Sequence, residues 1–91
     1  MKIANFDFAT AQRPAVVCEI AASHNGSLET AIKLMEIAAA AGADLCKIQA
    51  LTPETITADF DRPEFTITKG PWAGRKLIDL YRQAAMPREW F

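Results

Sequence analysis

Positions 15–21, AVVCEIA, are apolar except for Glu19. They carry β-branched Val16 and Val17 and are bounded by Pro14 before and Ser-His-Asn-Gly after. That is the pattern of a strand buried on both faces. In the following SLETAIKLMEIAAAAGA, Leu28, Ala31, Ile32, Met35, Ala38 and Ala39 recur at helical spacing. Ser27 or Asn25 suits the N-cap, Glu29 the first turn, and Gly42 a left-handed C-terminal stop. Positions 44–51, DLCKIQAL, repeat the strand pattern. Strand, helix and strand joined by short connections predict a parallel, right-handed βαβ unit over residues 14–51. A second helix is expected in GRKLIDLYRQAAM, with Leu77, Ile78, Leu80, Tyr81, Ala84 and Ala85 on its apolar side and Pro87 as its stop.

Residues 1–13 form an N-terminal extension to this pattern, and residues 52–72 a connection much longer than the usual ~2–6 residues between strand and helix. Within it TITADF and EFTIT alternate enough to predict a small hairpin. The segment reads either as a decorated loop or as a lid over a site at the strand ends, with the lid preferred. Residues 73–91 hold the second helix and the start of a further unit.

The phase of the two strands places the candidate chemistry. Setting VCEIA (17–21) over LCKIQ (45–49) aligns Cys18 with Cys46, Glu19 with Lys47, and Ile20 with Ile48, an offset of 47 − 19 = 28 residues. Side chains alternate along a strand, so Cys18, Ile20, Cys46 and Ile48 share the face towards the helices, and Glu19, Lys47 and Gln49 share the other. A carboxylate, an ammonium and an amide on an interior face are costly to bury unless they pair or meet a ligand. In α/β folds ligands bind at the carboxyl ends of the strands, where Glu19 and the His24-Asn25-Gly26 turn would stand. The alternatives are structural: Glu19 and Lys47 as an internal salt bridge with Gln49 as its hydrogen-bond partner, His24 as a residue bracing the turn, and Asn25-Gly26 as a common turn dipeptide.

Composition narrows the function classes. The chain has 91 residues, 51% hydrophobic and 23% charged, with a net charge of −1, which describes one small globular unit. Its ten basic residues are scattered, so neither nucleic acid nor an anionic membrane surface is an expected partner. No apolar stretch approaches the ~20 residues of a membrane span, and the N-terminus lacks the apolar core of a secretory signal. Cys18 and Cys46 lie in apolar runs without a CxxC spacing, which suggests reduced thiols in a cytoplasmic protein. A single histidine excludes a self-contained histidine-based metal site.

CEIAASHNGS (18–27), AGADLCKIQALTPETIT (41–57) and PWAGRKLIDLYRQAAMPREWF (71–91) together resemble the N-terminal part of the sialic acid synthase family, in order and spacing, over nearly all of the chain from Pro14. Within that family TPETIT, PEFTI and WAGRKLIDLY are most similar to the pseudaminic acid synthases, with N-acetylneuraminate synthases as the near alternative. The resemblance implies an α/β fold comprising the first two βα units of a (β/α)8 TIM barrel, incomplete in this chain. It also implies condensation of phosphoenolpyruvate with an amino-sugar aldehyde, releasing phosphate and yielding a nonulosonic acid. A divalent metal, Mn or Mg, is implied in the complete enzyme, with ligands absent from this chain, and so is a homodimer. By the same resemblance Glu19 is an acid/base or orienting group. Lys47 suits the anionic groups of phosphoenolpyruvate, and Gln49, His24 and Asn25 are substrate-binding. Ser23 stands where the family pattern has Asn, and Ala50 where threonine is common. The chain is expected to be an N-terminal fragment, inactive alone, with a non-catalytic truncated remnant as the remaining alternative.

Overall fold

The computed structural model describes all 91 residues, Met1–Phe91. They form two compact units, Met1–Ile48 and Gln49–Phe91.

The first unit is built on the expected βαβ element. Strand β3 (Val17–Glu19) pairs in parallel with β4 (Leu45–Lys47), and the register is Val17 with Leu45, Cys18 with Cys46 and Glu19 with Lys47. Helix α1 (Leu28–Ala40) makes the crossover and packs on β4. Ser27 is its N-cap, with Oγ accepting the Thr30 N–H at 3.2 Å, so the choice between Ser27 and Asn25 resolves to Ser27. At the other end Gly42 takes φ 93°, its N–H donates to the Ala39 carbonyl, and the Ala43 N–H donates to the Ala38 carbonyl. This is a Schellman closure, which requires a residue free to enter the left-handed region.

The core of this unit is narrow. Ile20, Ala31 and Ala38 are buried, the two alanines lying two turns apart on one side of α1. Small side chains there let the helix approach the sheet. Leu28 and Ile32, expected on the inward face, are exposed on α1 together with Ile37. The strands also depart from the expectation of burial on both faces, for Val16 and Val17 are 54% and 52% exposed. Only the face carrying Cys18, Ile20 and Cys46 is covered, because the unit supplies one helix to a two-stranded sheet.

Residues 1–13 contain an element that the hydrophobic pattern does not announce. Strands β1 (Lys2–Ile3) and β2 (Phe6–Asp7) form a short antiparallel hairpin, with Ala4 at φ 49° in the turn. Phe6 and Phe8 stack edge to face at 4.9 Å between ring centroids.

The second unit contains helix α2 (Pro53–Ile56), a 3-10 turn at Pro63–Phe65, helix α3 (Leu77–Ala84) and a last 3-10 turn at Arg88–Trp90. Pro53 opens α2 at a position whose N–H has no helical partner. TITADF and EFTIT do not pair as a hairpin. Thr66 instead bridges Lys76 antiparallel, and Ile67 exchanges backbone bonds with Arg75 and Gly74 at 2.9 and 2.8 Å. The prolines at 53 and 63 favour helical turns, and Gly70 and Gly74, both with positive φ, allow the chain to return on itself at 67–74. Helix α3 begins at Leu77, the first of its expected apolar positions, since residues 74–76 are taken up by that closure. Ile78 (1% exposed) and Met86 form the buried centre, with the remaining apolar side of α3 half-buried.

Candidate active site

Glu19 ends β3 and Lys47 ends β4, so the parallel register sets them side by side at the carboxyl end of the strand pair. Their side chains meet through Lys47 Nζ and Glu19 Oε2 at 2.9 Å. Alternation along β3 turns Cys18 towards the helix-covered side and Glu19 away from it, and β4 does the same with Cys46 and Lys47. The pair lies on the open face, with the Lys47 side chain 57% and the Glu19 side chain 39% exposed. Exposed ion pairs contribute about 0.2–1 kcal/mol, so this one adds little to folding. The same fact bears on chemistry. Lys47 Nζ, on a side chain 57% exposed, is within reach of an anionic ligand.

The strand-to-helix turn follows directly. Three successive backbone bonds, Ser23 N–H to Ile20 O, Asn25 N–H to Ala22 O and Ser27 N–H to His24 O, wind the chain from β3 into α1. Ala21, Asn25 and Gly26 all take positive φ, at 45°, 49° and 73°. His24 is 1% exposed, and its Nδ1 accepts the Gly26 N–H at 3.0 Å. The imidazole therefore braces this turn from inside, while Asn25 is exposed. Gln49 is half-buried, two residues beyond Lys47, at the start of the second unit. The structure brings Glu19 and Lys47 together and places His24 and Asn25 in the turn after β3.

Two charged groupings were not apparent from the sequence. The Asp44 carboxylate receives both ends of the Arg13 guanidinium, at 2.6 and 2.7 Å, and the Val16 N–H at 2.9 Å. These bonds hold its pKa down, from 3.8 to about 2. In the second unit Asp59 binds Arg82 at 3.1 Å and Lys76 at 3.3 Å. Lys76 also pairs with Asp61, and Arg82 with Glu54 and Asp79. The bonds from Arg82 and Lys76 lower the pKa of Asp59, and the acids around Lys76 and Arg82 raise theirs. On the covered face of the sheet, Cys18 and Cys46 are free thiols. Burial and the neighbouring Cys18 push the Cys46 thiol pKa up, which suits an inert thiol.

The structure also holds cavities. One of about 410 Å³ in the second unit is lined by Thr52, Pro53, Met86, Arg88 and Phe91 among others, and another runs along α1 beside Leu28 and Ile32. Neither lining includes Glu19 or Lys47. The cavity near Arg88 offers one cation. No group of three or more His, Cys, Asp or Glu side chains is placed to hold a metal ion. On that donor set the residues present do not fit a metal site.

A parallel β–α–β element, with Glu19 and Lys47 at its strand ends, defines an α/β protein. Residues 34–91 match the NeuB family, and the chain belongs to that family. It is 43% identical over 90 residues to the pseudaminic acid synthase of Campylobacter jejuni serotype O:2, a match covering 99% of this chain and 26% of that protein. The pseudaminic acid synthase of C. jejuni serotype O:23/36 gives the same figures, and that of Helicobacter pylori is 34% identical over 79 residues, 87% of this chain and 23% of its own. The chain thus spans about a quarter of the length of the curated relatives it matches.

Proposed function

We propose that this chain is the front end of a synthase that condenses phosphoenolpyruvate with an amino-sugar aldehyde, releasing phosphate and forming a nonulosonic acid of the pseudaminic type. The observation that carries the reading is the Glu19–Lys47 pair on the open face at the strand ends, in a chain whose relatives bear the name pseudaminic acid synthase. Lys47 attracts the carboxylate or phosphate of phosphoenolpyruvate as a point charge. Glu19, displaced from Lys47 by that anion, is left beside the reacting carbons to orient the aldehyde or move a proton at its oxygen. Gln49 and Asn25 supply polar contacts to either substrate, and His24 holds the turn that presents Asn25.

Around this core the complete enzyme is a (β/α)8 barrel, of which β3, α1 and β4 contribute the beginning. Residues 52–72 are a long loop or a lid. A divalent metal, Mn or Mg, is held by residues outside this chain, and the complete enzyme is a cytoplasmic homodimer. No helix here is long and apolar enough to cross a membrane.

The test is phosphate release from phosphoenolpyruvate by the complete polypeptide, measured with and without candidate amino sugars. Release that depends on the sugar, and that falls in Lys47→Ala, supports the reading. Release independent of any sugar, or unchanged in Lys47→Ala, rejects it.

A further inference from the structure

The backbone ladder between two parallel strands does not choose its own register. Every amide and carbonyl is chemically alike, and a slip of two residues keeps each side chain on its original face. Such a slip would leave Cys18 and Ile20 on the covered side yet set Glu19 opposite Leu45 or Gln49. Something must distinguish the observed pairing of Glu19 with Lys47 from these neighbours.

At the amino end of the strand pair one side chain does so. The Asp44 N–H donates to the Val16 carbonyl at 2.9 Å, and the Val16 N–H donates back to Asp44 Oδ2 at 2.9 Å. Both backbone groups of Val16 are thereby tied to one residue, the one that immediately precedes β4. The carboxylate is fixed in turn by the two-pronged Arg13 guanidinium, which also donates to the Pro14 carbonyl at 3.0 Å and lies 5.3 Å from the centre of the Phe6 ring. The Asp44 side chain is only 14% exposed, against 56% for Arg13, so water competes weakly for the bond to Val16. Three residues on from each end of this tie stand Glu19 and Lys47.

We propose that Asp44, anchored by Arg13, is the positioning residue that sets the β3–β4 register and so places Glu19 opposite Lys47. Its importance for catalysis rests on the proposed function; its role in register does not. Cys18 and Cys46 report that register, because they face each other across the strands and are the two cysteines of the chain. In protein labelled with 13C at cysteine alone, the NOE between their side chains reads the pairing.

Asp44→Asn keeps an oxygen acceptor for Val16 and is expected to retain this NOE. Asp44→Ala removes the acceptor, and its NOE is expected to fall about tenfold while the helical circular dichroism persists. Loss of the contact between Lys47 Nζ and Glu19, read in the 15N spectrum of the lysine ammonium group, should accompany it. If Asp44→Ala fails to fold, Arg13→Gln, which leaves the Val16 bond in place, is expected to weaken the NOE partially. An undiminished NOE in folded Asp44→Ala, or in Arg13→Gln where the alanine variant does not fold, overturns the proposal. Turnover of Asp44→Ala in the complete polypeptide separates the two readings: normal turnover with a lost NOE sinks the catalytic assignment of Glu19 and Lys47 and upholds the register role of Asp44.

Discussion

Glu19 and Lys47 are 28 residues apart in sequence, direct partners in the parallel register, and joined at 2.9 Å on the uncovered face of their sheet. An exposed pair of this kind contributes about 0.2–1 kcal/mol to stability. Replacing either residue should therefore separate activity from stability. Glu19→Gln and Lys47→Ala are expected to lower turnover of the complete polypeptide by about 10²–10⁴, the range for a positioned acid/base group, while unfolding free energy changes by about 1 kcal/mol or less. Steady-state phosphate release and denaturant melts check the two halves. Turnover close to normal in both variants would remove the pair from the active site.

The Asp44 carboxylate gives a second outcome, with a definite sign. Its pKa is lowered from 3.8 to about 2, chiefly by the Arg13 hydrogen bond and then by the Val16 N–H. The unfolded chain thus binds a proton at this group more readily than the folded one. The stability it confers is present above the unfolded value and is lost as pH falls through the folded one. Unfolding curves of the natural chain and of Asp44→Asn should differ at neutral pH and converge as pH falls from 3.8 towards about 2. Asp59, also lowered, is common to both proteins and cancels in the comparison. A difference that does not vary with pH would contradict the assigned role of the charge.

In the second unit, Asp59, Asp61 and Glu54 are held to Lys76 and Arg82 by ion pairs whose side chains are between 32% and 88% exposed. Electrostatic fastening of that kind is screened by salt, the Debye length falling from ~10 Å at 0.1 M to ~3 Å at 1 M. Amide exchange in residues 53–61 should quicken in Arg82→Ala at low salt, and the natural chain should approach the variant as salt rises. Exchange insensitive to both changes would mean that apolar contacts such as Phe60 on Phe65, at 5.8 Å, hold the segment instead.

Two local features should have ordinary energetic weight. Ile78, 1% exposed, is the largest fully buried apolar side chain, and Ile78→Ala is expected to cost about 2–5 kcal/mol through lost burial and a residual cavity. Ser27→Ala removes the acceptor of the Thr30 N–H and should cost about 0.5–2 kcal/mol. Chemical denaturation measures both, and a Ser27→Ala cost near zero would show that water replaces the cap.

Those elements also mark what the sequence makes readable. The 28-residue phase between VCE and LCK matches the observed register, and the βα repeat accounts for the two strands lying side by side. Ser27 and Gly42 announced the ends of α1 through local chemistry, which depends only on neighbours within a turn. The Arg13–Asp44 tie spans 31 residues and involves a residue of the N-terminal extension, where no periodic pattern exists to place it. Asp44 stood out only as a charge at the edge of an apolar run. The lack of a hairpin between TITADF and EFTIT has a similar cause. Alternation in TITADF and EFTIT is a period without a partner, and the pairing formed by Thr66 and Lys76 depends on the return of the chain at Gly70 and Gly74.

The turn from β3 into α1 takes the chain from strand to helix with three left-handed residues in six positions, around an imidazole sealed from water. Its length is therefore a fixed quantity. One inserted residue would rotate α1 by about 100° relative to the sheet, turning Ala31 and Ala38 away from the strands. Residues 57–62, mostly exposed and outside helix and strand, carry no such constraint. Changes in chain length near the first strand are then expected to be lethal to the fold, while the long connection after the second strand is where this architecture has room to diversify.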